Sequence, residues 1–131
     1  IPTGIGVRLS RGKYIYLIDS DDLITKTALE ELYNLAEKYQ AEVVHCEKFF
    51  QVPEDWQIDD KREPGIIGFA GEFVTEPTLV TENFAERVES LRKYQFFWPL
   101  WLKFIRRDFL AENNIEFTNL YSMDFAFGAL G

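Results

Sequence analysis

The hydrophobic run Tyr14-Ile15-Tyr16-Leu17-Ile18 ends abruptly in Asp19-Ser20-Asp21-Asp22, so three carboxylates are presented where an apolar segment meets water. Carboxylates this close repel one another, and the arrangement is tolerated when a metal ion, a proton or a cationic ligand offsets their charge. The chemistry on offer is cation binding, with Asp19, Asp21 and Asp22 as candidates. The plain alternative is a solvated turn in which an aspartate side chain bonds its own backbone or caps the next helix. The apolar run needs burial and the acids need water or metal. The junction therefore belongs at the carboxyl edge of a sheet, where ligands bind in open α/β folds.

The flanking sequence supplies the elements that must position these acids. Gly4 and Gly6 predict a loop, followed by a helical turn over 7–10 and a strand over 14–18. After the acids, Leu29, Leu32, Leu35, Ala36 and Tyr39 recur at helical spacing and predict an amphipathic helix over 26–39. Thr25 or Thr27 can cap it, and Glu30 and Glu31 suit its positive end. Residues 41–50, rich in Val and aromatics, predict a further strand. Strand, helix and strand in that order predict a right-handed crossover and a parallel pair. Residues 53–64 concentrate Glu54, Asp55, Asp59, Asp60, Lys61, Arg62 and Glu63, which reads as a solvated surface loop rather than a second metal site. A helix over 81–94 carries Phe84, Val88 and Leu91 on one face. Residues 96–105 predict a strand in which Pro99 marks a bulge or an edge, and 107–113 a short helix stopped at Asn113-Asn114.

Composition narrows the function classes. A chain of 131 residues is one domain or a piece of one, long enough for a core, and 16% aromatic content predicts a bulky one. With 22 acidic against 14 basic residues the net charge is −8, which argues against a nucleic-acid backbone as partner. The lone Cys46 excludes an internal disulfide, fits a reducing compartment and reads as a small buried hydrophobe. The most apolar window, 96–105, is too short for a membrane span and is interrupted by Pro99 and Lys103, and no signal peptide is visible. His45 reads as a packed residue, because a zinc site needs more His or Cys than the chain contains. The start at Ile1 and the apolar end over 128–131 predict truncation at both ends.

Three families place acids in this way. In a calcium-binding EF-hand loop, Asp19, Asp21 and Glu30 would fall at positions one, three and twelve. Leu23 and Ile24, however, stand where an oxygen ligand and a glycine are required, and a strand precedes the acids. A phosphatase of the haloacid dehalogenase type also sets Asp-x-Asp after a hydrophobic strand, but has Thr or Val where this chain has Leu23. Gly6 through Leu23, which reads Gly-x-x-x-Ser-Arg-Gly-Lys-Tyr-Ile-Tyr-Leu-Ile-Asp-Ser-Asp-Asp-Leu, closely resembles the middle of the family 2 glycosyltransferases of the GT-A fold. A second block resembles the later family segment in which a basic strand leads to a Phe-Leu helix and an Ile-x-Phe turn. It runs Lys103-Phe104-Ile105-Arg106-Arg107-Asp108-Phe109-Leu110, then Ile115-Glu116-Phe117. Where the family then places a Glu-Asp pair, this chain has Met123-Asp124, and where the family has Arg-Asn it has Thr3-Gly4.

The resemblance implies one α/β domain over 1–131, a partial GT-A fold lacking the N-terminal β-α-β half that holds the nucleotide base and ribose. It implies metal-dependent, inverting transfer of a sugar from a nucleotide-sugar donor to a saccharide or lipid-linked acceptor, in surface polysaccharide or glycoconjugate synthesis. Asp21 becomes the principal ligand of Mg²⁺ or Mn²⁺, Asp19 a contact to the ribose or the metal, and Asp22 a support or a cap. Asp124 becomes the general base, against its plain alternative as a helix cap after Ser122. Phe97, Trp98 and Trp101 fall on the acceptor side, where aromatic faces stack on sugars, although alternation along a strand buries every second side chain. The implied setting is cytoplasmic, free or at the inner face of the membrane. Such a fragment exposes apolar sheet edge or face and should self-associate. A metal-dependent phosphohydrolase and a non-catalytic cation- or carbohydrate-binding domain remain the other readings of the same residues.

Overall fold

The computed structural model describes residues 2–46, 48–68, 76–92 and 100–117. The chain forms two compact units, one of residues 1–45 and 98–131 and the other of residues 46–97.

The first unit is built on a three-stranded sheet of β1 (Tyr14–Tyr16), β2 (Val43–His45) and β5 (Lys103–Arg106), in the order β1-β5-β2. Both partners run antiparallel to the central β5: Ile15 and Val43 each stand opposite Ile105, and Tyr16 and Val44 opposite Phe104. β1 and β2 thus share a direction, but β5 separates them. The crossover through α2 (Ala28–Tyr39) joins non-adjacent strands, which corrects the expected parallel pair. Chain order could not show that a later strand would take the place between them.

Alternation divides the sheet's side chains between two faces. On one, Ile15, Ile105, Leu100 and Leu110 form a buried cluster, with Val7, Leu17, Val43, Phe109, Ile115 and Phe117 packed around it. Val7 comes from α1 (Pro2–Leu9) and Leu110 from α4 (Arg107–Glu112). On the other face Tyr14 stacks on Phe104 at 4.8 Å and meets the edge of Tyr33 from α2, which also buries Leu32 and Ala36. The sheet is therefore covered by helix on both sides, a mixed α/β layering consistent with a partial GT-A fold.

Two helix ends show why these elements stop where they do. Gln40 adopts a left-handed φ of 49°, its N–H donating to Glu37 O and that of Ala41 to Ala36 O. Asn114 repeats the pattern at φ 52°, and the following Ile115 N–H donates to Leu110 O at 2.9 Å while its side chain joins the core. Both are Schellman closures, in which the αL residue frees the next amide to reach back to the last turn. Helix α2 begins two residues later than expected: Thr27 holds the cap position without a side-chain bond, and Glu30 and Glu31 sit in the first turn.

The expected loop at Gly4 and Gly6 is instead part of α1, which has Pro2 at its first position, a site where the missing N–H costs nothing. The strand expected over 14–18 shortens to three residues, and the one expected over 41–50 splits at the boundary between the units into β2 and β3 (Lys48–Gln51). Cys46, at that boundary, is half-buried rather than a core residue.

In the second unit β3 pairs antiparallel with β4 (Gly65–Gly68), a strand the sequence did not signal. The charged stretch between them is largely exposed and is organised by Arg62, which donates to Asp60 at 3.0 Å and to Asp55 at 3.2 Å. Helix α3 (Phe84–Arg92) starts three residues after Thr81, because Asn83 Oδ1 accepts the Glu86 N–H and so caps it. The end of the expected helix at Tyr94 and the strand residues 96–99 lie outside the described residues. The remainder of that expected strand is a 3₁₀ turn over Leu100–Leu102 followed by β5.

Candidate functional site

Strand β1 is held from both sides before it reaches the acids. Ile15 anchors it in the core, and Lys13 and the Tyr14 hydroxyl both donate to Glu37 on α2. At the other flank of the entry, Lys13 O accepts the Arg107 N–H, and Arg107 Nη1 donates to Ser10 O at 3.0 Å. A Cβ at Gly12 would lie 3.1 Å from Tyr14 O, a tight contact that a larger residue meets only if the backbone there gives by a few tenths of an ångström. After Tyr16 the chain leaves the sheet, and a turn closes when the Asp22 N–H donates to Asp19 O at 3.1 Å. Because β1 and β2 run in the same direction, this turn sits at their common carboxyl end, as the sequence required.

Asp19, Asp21 and Asp22 are all exposed in this turn. The Asp22 carboxyl is raised above its ordinary value by partial burial and then by the charges of Asp19 and Asp21. The charges of Asp19 and Asp21 thus reach the Asp22 carboxyl, and a cation placed there would relieve that repulsion. Among the described residues no three His, Cys, Asp or Glu side chains converge to hold an ion by themselves. The donors present are hard carboxylate oxygens on an open turn. That set fits a Mg²⁺ or Mn²⁺ ion carried by one or two carboxylates and shared with phosphate oxygens, rather than a calcium cage.

Apolar side chains bracket the acids. Ile18 on one side is 47% exposed, and Leu23 and Ile24 on the other are 62% and 41% exposed. Sequence reasoning missed this collar, because Ile18 reads as the end of a buried strand and nothing in a sequence marks Leu23 and Ile24 as solvent-facing. A separate open recess of about 420 Å³ lies where α2 overhangs β1, lined by Lys13, Tyr14, Tyr16, Leu29, Tyr33 and Phe104. None of the three acids lines it.

Asp124, Phe97 and Trp98 lie outside the described residues, while Trp101 is half-buried in the 3₁₀ turn before β5. His45 ends β2 opposite Lys103, and burial followed by the Lys103 charge lowers its pKa to about 4. A histidine so placed is neutral at physiological pH and packed into the sheet, as its sequence position suggested. No described helix is long and apolar enough to cross a membrane.

Residues 4–107 match the family model "Glycosyl transferase family 2". The chain is 25% identical to the uncharacterized glycosyltransferase YibD of Escherichia coli K12, over 95% of this chain and 36% of that protein. It is 29% identical to the cholesterol galactosyltransferase of Borreliella burgdorferi B31, over 93% of this chain and 33% of that protein. A shorter stretch, 34% of this chain and 14% of the relative, is 34% identical to the poly(ribitol-phosphate) beta-N-acetylglucosaminyltransferase TarP of Staphylococcus aureus N315. The chain spans about a third of the length of the curated relatives that it matches along most of its own. No solved structure matches it.

Proposed function

Because the chain belongs to glycosyl transferase family 2, we propose that it carries the donor-binding turn of a divalent-metal-dependent, inverting glycosyltransferase. The carrying observation is the turn itself: three exposed carboxylates, two of which raise the third, at the carboxyl end of a strand fixed by the core. Departure of a nucleoside diphosphate from a sugar concentrates negative charge on the leaving oxygens, and a bound Mg²⁺ or Mn²⁺ supplies the neutralisation. Asp21 is the principal ligand in this reading, Asp19 contacts the ribose or the metal, and Asp22 supports the turn. Asp124 is the general base that takes the proton of the acceptor hydroxyl. The donor is a nucleotide sugar, the acceptor a saccharide or lipid-linked molecule of surface polysaccharide or glycoconjugate synthesis, and the setting the cytoplasm or the inner face of its membrane.

The test is turnover by the full-length protein. Incubation with nucleotide sugars and Mn²⁺ should release nucleoside diphosphate and give product of inverted anomeric configuration. Asp124→Asn should nearly preserve donor binding while lowering turnover on the order of a hundredfold, the usual scale for a positioned base. Retention of configuration would remove the inverting assignment, and undiminished turnover in the variant would remove Asp124 from the reaction. The names of two relatives set the open question, since one acts on cholesterol and another on poly(ribitol-phosphate), an apolar and a polyanionic acceptor.

A further inference from the structure

We propose that Arg107 is the positioning residue that fixes the register of β1 and so sets the acidic turn at the height from which it shares a metal with the donor. The inference rests on the glycosyl-transfer reading of that turn and adds to it a residue that acts through the strand. Strand β1 is three residues long and lies at the edge of its sheet, with Tyr14, Ile15 and Tyr16 opposite Arg106, Ile105 and Phe104 of β5. Its own side chains do not single out that register. A slip of one residue would turn Ile15 out of the core, but a slip of two keeps every side chain on its face. Tyr16 then stands opposite Arg106, Leu17 opposite Ile105 and Ile18 opposite Phe104, so that tyrosine replaces tyrosine and leucine replaces isoleucine. The cost falls on the acids. Each residue of slip carries the turn about 3.3 Å along the strand, so two residues displace it by roughly three times a metal–oxygen bond. Asp19 would then stand where Leu17 packs against the core.

Arg107 supplies the asymmetry that the apolar run lacks. Its N–H donates to Lys13 O at 2.9 Å, one rung beyond the strand, and its Nη1 donates to Ser10 O at 3.0 Å. Ser10 is held in turn, its N–H and Oγ donating to Val7 O at 3.2 and 2.6 Å, and Val7 packs on the core. A slip of two residues would carry Lys13 O and Ser10 O away from both donors. The guanidinium gains little else from its place. It is half-buried, its Nε is buried without a partner, and among the described residues no carboxylate pairs with it. A buried N–H left unpaired costs stability, so this arginine suits the holding of a register better than the holding of the fold.

The test compares the full-length parent with Arg107→Met, which keeps the chain length and loses the donors, and Arg107→Lys, which restores one donor to Ser10 O. Each is titrated with Mn²⁺ by calorimetry in the presence of UDP, GDP or dTDP, keeping the nucleotide that supports the tightest binding to the parent. When competent and slipped registers interconvert, the apparent affinity falls with the competent fraction, and saturating ligand draws the molecule back. Arg107→Met should therefore bind Mn²⁺ roughly fivefold or more weakly beside the nucleotide, and raise the donor KM for nucleoside diphosphate release by a similar factor, with kcat at saturating metal and donor within about twofold of the parent. Arg107→Lys should recover most of the lost affinity, and both variants should melt within about 5 °C of the parent. An unchanged Mn²⁺ affinity in Arg107→Met, a loss confined to kcat, or no recovery in Arg107→Lys would overturn the positioning role. Failure of Arg107→Met to fold would make Arg107 a residue of the fold and overturn it equally. A parent that binds no Mn²⁺ with any of the three nucleotides would instead remove the metal–diphosphate reading on which the inference rests.

Discussion

Replacing Ile105 with alanine removes three carbons from the centre of the sheet, where Ile105 is fully buried between Ile15 of β1 and Val43 of β2 and against Leu110 of α4. Loss of transfer free energy and an incompletely collapsed cavity together predict a destabilisation of about 3 to 4 kcal/mol. Ile105→Val, which deletes one methyl, should cost about 1 kcal/mol at the same place. For a chain of this length the alanine variant should melt roughly 10 to 15 °C lower. Urea unfolding followed by far-UV circular dichroism measures both variants, with an unchanged m-value expected because the surface exposed on unfolding is the same. The consequence reaches function, since β5 is the strand that holds β1 and so the acidic turn. A loss below about 1 kcal/mol for Ile105→Ala would be inconsistent with close packing at this position and would refute the description of β5 as the central strand.

Two further perturbations follow from the titrating groups. His45 is the single histidine of the chain, so its imidazole resonances should titrate near pH 4 rather than near 6.5, and a midpoint close to 6.5 would contradict its burial beside Lys103. Its charged form is disfavoured in the folded state, so its contribution is complete above the unfolded value and is lost as pH falls from 6.5 toward 4. Linkage limits that loss to at most about 3 kcal/mol. Glu37 is lowered by the hydrogen bonds from Lys13 and then Tyr14, so its stabilising contribution is present above the ordinary carboxyl value of 4.5 and disappears as pH falls through the lower folded value. Glu37→Gln should therefore flatten the acid limb of the melting profile, and an acid limb identical to that of the parent would remove the network from the account.

Local signals in the sequence carried the acidic turn and most of its scaffold. The run over 14–18 needed burial and the acids did not, which is enough to place the turn at a strand end. Helix α2 showed a regular apolar stripe, and Asn113-Asn114 marked the end of α4 because Asn tolerates the left-handed closure that Asn114 adopts. The misreadings arose where tertiary context decides. Residues 41–50 are uniformly β-prone, and nothing local distinguishes a strand that stays in one sheet from one that passes into a second unit. Strand β4, Gly65-Ile66-Ile67-Gly68, has glycine at both ends and was invisible to propensity. The stripe of Phe84 and Val88 on α3 predicted a buried face, yet Phe84 is 79% exposed. The apolar collar was hidden for the opposite reason, since hydrophobic letters beside a strand read as core until exposure is known.

In the proposed function Asp21 holds a divalent cation together with the diphosphate of the donor. Isothermal titration of the full-length protein with Mn²⁺, in the absence and presence of a nucleoside diphosphate, tests it most directly when parent and Asp21→Ala are compared. Metal binding should be strong only with the nucleotide present, in keeping with a turn that offers too few ligands of its own. Asp21→Ala should abolish that binding. Unchanged metal and nucleotide affinities in the variant would contradict it.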